Sequence, residues 1–341
     1  MKVAFRVDGS VSIGSGHIMR CLAVASAMPP YADITFLCQA LPGASSSVVK
    51  QHHYSFIELP VCGNEADDAR NCLARLPDVD LLIVDHYHLA ERYCTMMREA
   101  ASAIMVIDDI ANRRHDCDIL LDQNLVQGYL TRYENRIPAN AMMLLGPEYA
   151  LLRDEFSSIL CNPEPSRVLI NFGGSDEHNL TALSVSALLE LKVAPLFADI
   201  VVGRAYPYLP DLKKQIGDLD GITLHVQCDY MARLMSRAWV MLGSGGTTHW
   251  ERCRCALPGI IITAADNQHD TTRCLDERGA CKWLGDAGKV SKQQLCSALE
   301  DVLSDAEHRQ RMAQKAASIV PVGAGPTRVV DEILQYLKRA S

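Results

Sequence analysis

The chain has 341 residues, is 48% hydrophobic and carries a formal net charge of −8. This length predicts two domains, each able to bury a full core. The acidic balance, with no basic block, argues against a nucleic-acid or membrane partner. No apolar run approaches the ~18 residues that span a bilayer. Arg6 and Asp8 stand where a signal peptide needs apolar residues, so a cytoplasmic protein is expected.

Thirteen cysteines are scattered singly along the chain. Cys253 and Cys255 form the closest pair, and no second pair or histidine pair completes a zinc-binding motif. Free thiols in a reducing compartment are therefore expected, with neither disulfides nor a bound metal.

Strand-like and helix-like patterns alternate along the first half of the chain. Strands are predicted at residues 3–7, 34–38, 55–59, 81–84, 103–107, 119–121 and 142–145, and helices at 17–28, 45–52, 66–76 and 89–101. Several of the strands, such as 81–84, are continuous apolar runs. Such runs are typical of a parallel sheet that is covered on both faces.

A segment with two prolines, residues 161–166, interrupts this alternation and is the best linker candidate. The pattern then restarts, with strands predicted at 168–172, 200–202, 222–226, 239–242, 259–263 and 281–284. Helices are predicted at 181–191, 230–236, from about 247, and at 271–277, 291–303, 306–319 and 327–338. We therefore predict two doubly wound, Rossmann-like α/β domains, residues 1–160 and 161–341, with a cleft between them.

Ligands of such sheets bind outside the carboxyl ends of the strands, so the residues that follow the strands are the first site candidates. They are rich in Gly, Asp, Asn, Gln and His, and include residues 8–9, 85–88, 108–109, 122–124, 173–176, 203–204, 243–248 and 265–268. A site lined by both domains is expected.

The first glycine loop joins strand 3–7 to helix 17–28 and contains Gly14, Ser15, Gly16 and His17. Its glycines allow close approach of the backbone, and the free N–H groups of the helix start favour an anion. The positive helix end disfavours a proton on His17, so its imidazole should be neutral and able to accept one. Met19 replaces the third glycine of a dinucleotide fingerprint, and no Gly-Lys-Ser/Thr sequence forms a Walker loop. A loop that merely starts a helix remains the alternative.

The second glycine loop, which follows strand 239–242, gives a stronger signal. Ser244, Gly245, Gly246 and Thr247 offer unhindered N–H groups and hydroxyls at a helix start, as a diphosphate requires. Glu251, one turn further on, can accept hydrogen bonds from ribose hydroxyls. A solvated acid in the first helical turn is the alternative for Glu251.

Further candidates follow other strands. Asn267 and Gln268 carry amides suited to sugar hydroxyls, although a helix N-cap by Asp266 or Asn267 explains the same pattern. Asn171 and Gly173 either hold a ligand or turn the chain. Tyr87 can contact substrate or water, and Asp85 can orient His17. Asp108 and Asp109 lack a third ligand at recognisable spacing, which favours hydrogen bonding over metal binding.

Taken together, these motifs resemble the UDP-sugar hydrolases of pseudaminic acid biosynthesis. The resemblance runs in order through residues 6–9, 14–22, 84–87, 107–109, 116–118, 121–124, 145–153, 171–176, 245–252 and 265–268. It covers nearly the whole chain, and the motifs are specific in combination although none is specific alone. Ser244, at the second position of residues 243–246, is a mild departure from the family pattern.

The resemblance implies a GT-B fold, like that of the glycosyltransferase that builds the peptidoglycan lipid precursor. It also implies hydrolysis of UDP-2,4-diacetamido-2,4,6-trideoxy-β-L-altropyranose, with attack of water on the anomeric carbon, inversion, and no metal or other cofactor. His17 then corresponds to the general base and Glu251 to the ribose-binding acid, with UDP held by the C-terminal domain.

Three other functions fit parts of the pattern: a GT-B glycosyltransferase that uses a UDP-amino sugar, a non-catalytic nucleotide-sugar-binding protein, and a UDP-sugar 2-epimerase. A transferase with a lipid acceptor needs an exposed apolar or basic patch in the first domain, and the sequence has no clear one. The pattern carries no information on oligomeric state.

Overall fold

The computed structural model describes residues 1–10, 13, 16–42, 46–191 and 197–340. The chain forms two compact units. Unit 1 comprises Met1–Asn124, Gly128–Asp154 and Gly323–Ser341, and unit 2 comprises Leu125–Gln127 and Glu155–Val322.

Within the described residues, unit 1 contains a seven-stranded parallel sheet. Its strands are β1 (Lys2–Val7), β2 (Asp33–Gln39), β3 (Ser55–Leu59), β4 (Val79–Asp85), β5 (Ala101–Ile107), β6 (Ile119–Asp122) and β7 (Met142–Leu145). They lie in the order β3-β2-β1-β4-β5-β6-β7. The helices of this unit are α1 (Gly16–Ala27), α2 (Ser46–Gln51), α3 (Glu65–Leu73), α4 (Glu91–Met97) and α12 (Pro326–Ala340).

The central strand β1 explains why unit 1 has two apolar layers. Val3, Phe5 and Val7 face the core on one side of the sheet, where they pack with α1 and α12. Ala4 faces the opposite core, which contains residues of α3 and α4. Because successive side chains of a strand point to opposite faces, a strand covered on both sides is apolar on both faces, and in β1 only Arg6 interrupts the buried apolar run.

Unit 2 repeats this architecture with six parallel strands in the part of the chain that is described. They are β8 (Arg167–Asn171), β9 (Phe197–Val202), β10 (Ile222–Val226), β11 (Val240–Gly243), β12 (Gly259–Thr263) and β13 (Lys282–Asp286), in the order β10-β9-β8-β11-β12-β13. Its helices are α5 (Leu180–Glu190), α6 (Leu209–Ile216), α7 (Met231–Arg237), α8 (Thr248–Arg254), α9 (His269–Glu277), α10 (Lys292–Ser304) and α11 (Ala306–Ile319).

The structure differs from the predicted organisation in three places. Helix α4 ends at Met97 rather than near residue 101, since residues 101–107 all belong to β5. Helix α6 was not predicted. The last helix, α12, belongs to unit 1 although the prediction assigns residues 161–341 to one domain, because Val329, Val330 and Ile333 pack into the core of unit 1.

No helix among the described residues is both long and apolar enough to cross a membrane. In unit 1 the carboxyl ends of β1, β4 and β5 lie side by side, because β1 pairs with β4 and β4 with β5. In unit 2 the carboxyl ends of β8, β11 and β12 are neighbours in the same way. These two edges carry most of the predicted site residues.

Candidate active site

His17 is the second residue of α1, which begins at Gly16. Its side chain is 11% exposed. A Cβ atom at Gly16 would meet nothing within 4 Å, so close packing does not require glycine there. The other predicted residues of this loop, Gly14 and Ser15, lie outside the described residues.

Asp85, the last residue of β4, holds one nitrogen of His17. The Nδ1 atom of His17 lies 2.7 Å from Oδ1 of this buried carboxylate. A carboxylate only accepts hydrogen bonds, so in the neutral ring Nδ1 carries the proton and Nε2 keeps its lone pair. Nη2 of Arg20 also lies 2.9 Å from Nδ1, but both groups are then donors, so this is a contact and not a hydrogen bond. Within the described part of the chain, Nε2 has no hydrogen-bond partner. The contact predicted between Asp85 and His17 is therefore present.

Arg20, one turn after His17, holds the carboxylate of Asp85 in its ionised form. Its Nε and Nη2 atoms donate to Oδ2 and Oδ1 of Asp85, each over 2.5 Å. Burial alone would raise the pKa of Asp85, but the charge of Arg20 and the hydrogen bonds from Arg20 and His17 outweigh it and keep that pKa well below its usual range. The bidentate geometry also fixes the orientation of the carboxylate.

Asp109 and Tyr87 close the network around the imidazole. Nη1 of Arg20 donates to Oδ2 of Asp109 over 2.9 Å, and the Tyr87 hydroxyl donates to the same oxygen over 3.2 Å. The ring of Tyr87 stands edge-on to that of His17, with ring centroids 4.7 Å apart. Burial and the Asp109 charge raise the pKa of Tyr87, so the hydroxyl stays protonated.

This arrangement leaves His17 with one nitrogen committed to the protein and one available as a proton acceptor, the form needed in a general base. Arg20 was not predicted to belong to this network. Its spacing of three residues from His17 was the available signal, because residues three apart share a helix face.

Asp108, which follows β5, has a hydrogen-bonding role, as predicted. It accepts hydrogen bonds from the Ala111 backbone N–H (2.8 Å) and from the Tyr133 hydroxyl (3.0 Å). Among the described residues, no group of three or more His, Cys, Asp or Glu side chains is placed to hold a metal ion.

In unit 2, the second glycine loop follows β11 and leads into α8. Ser244 is buried, and a Cβ atom at Gly245 would lie 3.0 Å from both Cβ of Gln268 and Oγ1 of Thr272. Gly246 has a φ of +95° and faces open space. Glycine at 245 thus permits close packing, and glycine at 246 permits the left-handed turn.

Thr247 and Glu251 lie at the start of α8. Thr247 is the N-cap residue, and its side chain makes no capping bond. Glu251 is 9% exposed. This burial disagrees with the alternative of a solvated first-turn acid.

The loop after β8 is partly structural. Nδ2 of Asn171 donates to the Val201 carbonyl over 3.1 Å, and the Asn171 carbonyl oxygen lies 2.7 Å from where a Cβ atom of residue 243 would be. Gly173 has a φ of +89° and faces open space. The side-chain amide of Asn171 therefore donates its hydrogen bond within the sheet, whereas the backbone at Gly173 remains accessible.

The loop after β12 brings the third predicted set close to the glycine loop. Gln268 accepts a hydrogen bond from the Ala264 backbone N–H over 2.9 Å, and Asn267 is exposed. The predicted N-cap by Asp266 or Asn267 is absent, since Ala265 and Gln268 occupy the two N-cap positions. Unit 2 thus gathers residues 171, 243–246 and 268 at one sheet edge.

Comparisons with known proteins agree with the resemblance found in the motifs. No protein-family model matches the chain. It is 29% identical over 282 residues to the UDP-2,4-diacetamido-2,4,6-trideoxy-beta-L-altropyranose hydrolase of Campylobacter jejuni, covering 82% of this chain and 97% of that protein. It is also 26% identical over 325 residues to an uncharacterized protein of Methanocaldococcus jannaschii, of whose length it spans 63%.

Among solved structures, MurG of Acinetobacter baumannii superposes with a TM-score of 0.69 at 18% identity, covering 98% of this chain and 99% of that one. Two parallel α/β units on this scale, together with that superposition, give the chain a GT-B fold.

Proposed function

We propose that the protein is a metal-independent, inverting hydrolase that releases UDP from UDP-2,4-diacetamido-2,4,6-trideoxy-β-L-altropyranose and yields the free sugar. The observation that carries this proposal is the His17–Asp85 pair, in which a buried carboxylate holds Nδ1 and leaves Nε2 free. The similarity to the Campylobacter hydrolase supports the choice of substrate.

In the proposed reaction, Nε2 of His17 removes a proton from a water molecule as the water oxygen bonds to the anomeric carbon. The bond between that carbon and the diphosphate oxygen breaks, and UDP leaves with the electron pair. The positive charge that develops on the imidazole is balanced by Asp85. Because UDP is already a good leaving group, strong acid assistance is not required.

Unit 2 is proposed to bind the UDP part of the substrate. The accessible backbone at Gly246 and Gly173 leaves N–H groups available to phosphate oxygens. In this proposal Ser244 and Thr247 supply hydroxyl donors, Glu251 accepts from the ribose, and Asn267 and Gln268 face the sugar.

The proposal is tested with purified protein, the nucleotide sugar, EDTA and ¹⁸O-labelled water, with no acceptor present. Mass spectrometry then follows both products at early times. We expect one ¹⁸O atom in the free sugar and none in UDP, because water attacks carbon rather than phosphorus. Preformed sugar incubated in the same water controls for exchange at the anomeric oxygen.

The remaining outcomes contradict the proposal in different ways. Label in UDP would mean that water attacks phosphorus. Loss of activity in EDTA would mean that the reaction requires a metal ion. Absence of UDP release despite UDP binding would favour the glycosyltransferase alternative, which is then tested by adding candidate acceptor alcohols.

A further inference from the structure

Unit 1 contains a cavity of about 750 Å³ that none of the roles above uses. It lies at the carboxyl ends of β1 to β4, and all of the residues that line it fall between Asp8 and Arg92. The cavity is large enough for a substituted monosaccharide, since ligand cavities typically measure ≈ 300–1,000 Å³.

The cavity floor is polar, and its charged side chains are hydrogen-bonded to one another. Arg6, which is fully buried, binds Asp68 through Nε (2.8 Å) and Nη2 (2.6 Å), and Asp8 through Nη1 (2.7 Å). Gln39 donates to both carboxylates, through its side chain to Asp68 and its backbone N–H to Asp8, each over 2.7 Å. The floor therefore holds two carboxylates and one guanidinium, all of them hydrogen-bonded, with one negative charge in excess.

Histidine 86 completes this floor as a neutral side chain. Its Nδ1 accepts the His88 backbone N–H over 3.0 Å, so its Nε2 donates to Asp8, 3.1 Å away. Burial would raise the pKa of Asp8, but the hydrogen bond from His86 and the charge of Arg6 keep that pKa well below its usual range. Both acids are thus ionised and satisfied.

The cavity walls are aliphatic, and its rim has free donors. Leu41, Val61 and Leu89 form apolar surface, and Val61 is 60% exposed. Arg92 lies at the cavity, is exposed, and forms no ion pair within the described part of the chain. Methyl groups fit such walls, and carbonyl or hydroxyl groups fit such donors.

The cavity and the proposed base lie at the same sheet edge, at the carboxyl ends of β1 and β4. Asp85 holds His17, and the following residue, His86, lines the cavity. The two side chains leave the chain toward opposite faces of the sheet, Asp85 toward α1 and His86 toward Asp8, the partner of Arg6. Ile13, four residues before His17, also lines the cavity.

We propose that this cavity receives an acetamido substituent of the sugar that His17 acts on, and so selects N-acylated sugars. The inference rests on the proposed function. A neutral ligand with both methyl and amide groups suits a hydrogen-bonded floor, aliphatic walls and a donor-bearing rim. An inorganic anion is disfavoured by the two carboxylates, which outnumber the guanidinium of Arg6.

The first test narrows the cavity at its exposed wall. Val61→Phe is expected to raise KM for the diacetamido nucleotide sugar about tenfold, as pocket contacts of this size do. The affinity for UDP, measured by calorimetry, should not change. Leu130→Phe is the matched control, because Leu130 is 59% exposed in the same unit and does not line the cavity. An unchanged KM in Val61→Phe would overturn the proposal.

The second test does not depend on turnover. Cys62 lines the cavity, where its thiol donates to Asp68 over 3.6 Å. In a His17→Asn background, the nucleotide sugar should slow the alkylation of Cys62 by iodoacetamide, as followed by peptide mass spectrometry, whereas UDP alone should not. Cys296, half-buried in unit 2, is the control thiol.

Equal alkylation of Cys62 with and without the nucleotide sugar refutes the cavity assignment even if the protein hydrolyses that sugar. Protection of Cys62 without UDP release in the wild type refutes the proposed hydrolysis and keeps the cavity assignment.

Discussion

The two ring nitrogens of His17 have different environments, and this difference gives the side chain its proposed role. Asp85 takes the proton-bearing nitrogen, and Arg20 keeps that carboxylate ionised at the cost of placing its own charge in a buried position. An imidazole oriented in this way is ready to accept a proton without rotating.

Replacing His17 by Asn should lower kcat by about 10²–10⁴-fold, the usual contribution of a general base. UDP affinity should be kept, because the proposed nucleotide contacts belong to unit 2. Full activity of His17→Asn would show that this residue has no part in the mechanism. His52→Asn, at an exposed histidine, is the control.

Glu251→Ala should have the converse effect and weaken UDP binding, as measured by calorimetry. An unchanged UDP affinity of this variant would show that Glu251 does not contact the ribose.

His115 is a buried histidine with a different role. It is 2% exposed, and neither ring nitrogen has a hydrogen-bond partner among the described residues. Burial lowers its pKa to about 4, with Arg113 adding to the effect. The unfolded chain therefore binds a proton at this position between about pH 6.5 and 4 that the folded chain does not bind. Stability is fully present above pH 6.5 and falls as the pH drops toward 4.

His115→Leu should remove this pH dependence and fill the site with an apolar side chain. The comparison is the unfolding free energy of the variant minus that of the wild type. We expect this difference to be about 2 kcal/mol larger at pH 5 than at pH 8. Denaturant unfolding at the two pH values measures this difference. His52→Leu should show no such difference between the two pH values. An equal gain at both pH values for His115→Leu would mean that the imidazole takes up a proton as readily in the folded protein as in the unfolded chain.

Part of the site could be predicted from residues alone. His17, Asp85 and Tyr87 follow a glycine or a strand end, where polar residues point to function. Asp109 belongs to the network through Arg20, and Arg20 carries no sequence signal beyond its helical spacing. The cavity floor was not predicted, because Arg6 lies inside an apolar strand and pairs with Asp68, 62 residues away.

At the scale of elements, strand positions were more predictable than helix ends. Strands β3, β7, β10 and β12 have the predicted bounds, since continuous apolar or β-branched runs define them. Helix α6 is only eight residues long, and Pro210 and Asp211 in its first turn were the start signals, with no capping side chain before them. Helix α4 ends early because residue 101 pairs with Val79 in the sheet, a long-range contact that local pattern does not contain.

The loops after β8 and β9 touch through two glycines. A Cβ atom at Gly203 would lie 2.4 Å from the Gly174 carbonyl oxygen, whereas a Cβ atom at Gly174 would face open space. Gly203→Ala must therefore push the two loops apart and should lower stability by about 1–3 kcal/mol. Gly174→Ala, in the partner loop, should have a smaller effect. Equal thermal unfolding midpoints for the two variants would contradict this packing.

At the scale of the whole molecule, the two units were predictable from the restart of strand–helix alternation, but the partner of the last helix was not. Helix α12 follows unit 2 in sequence, yet Ile333 is fully buried in the core of unit 1 with Ile18 and Cys21 of α1. The amphipathic pattern of a helix identifies an apolar face and not the surface that this face covers.

Ile333→Ala should therefore destabilise unit 1, the half that carries His17, by about 2–5 kcal/mol. The expected readout is faster hydrogen exchange in β1 and α1, measured by mass spectrometry, with little change in unit 2. Asp331→Ala, on the exposed face of the same helix, is the control. Faster exchange confined to unit 2 would show that α12 supports the other unit.

The position of α12 in the sequence also determines which of the two units can complete its core first during translation. The buried apolar residues of unit 2 end at Val320, so unit 2 is complete in sequence before α12 begins at Pro326. The core of unit 1 waits for Val329, Val330 and Ile333, although its first strand precedes all of unit 2 in the chain. Until then the part of α1 that packs against α12 has no cover, and unit 1 is the part of the nascent chain that a chaperone would hold.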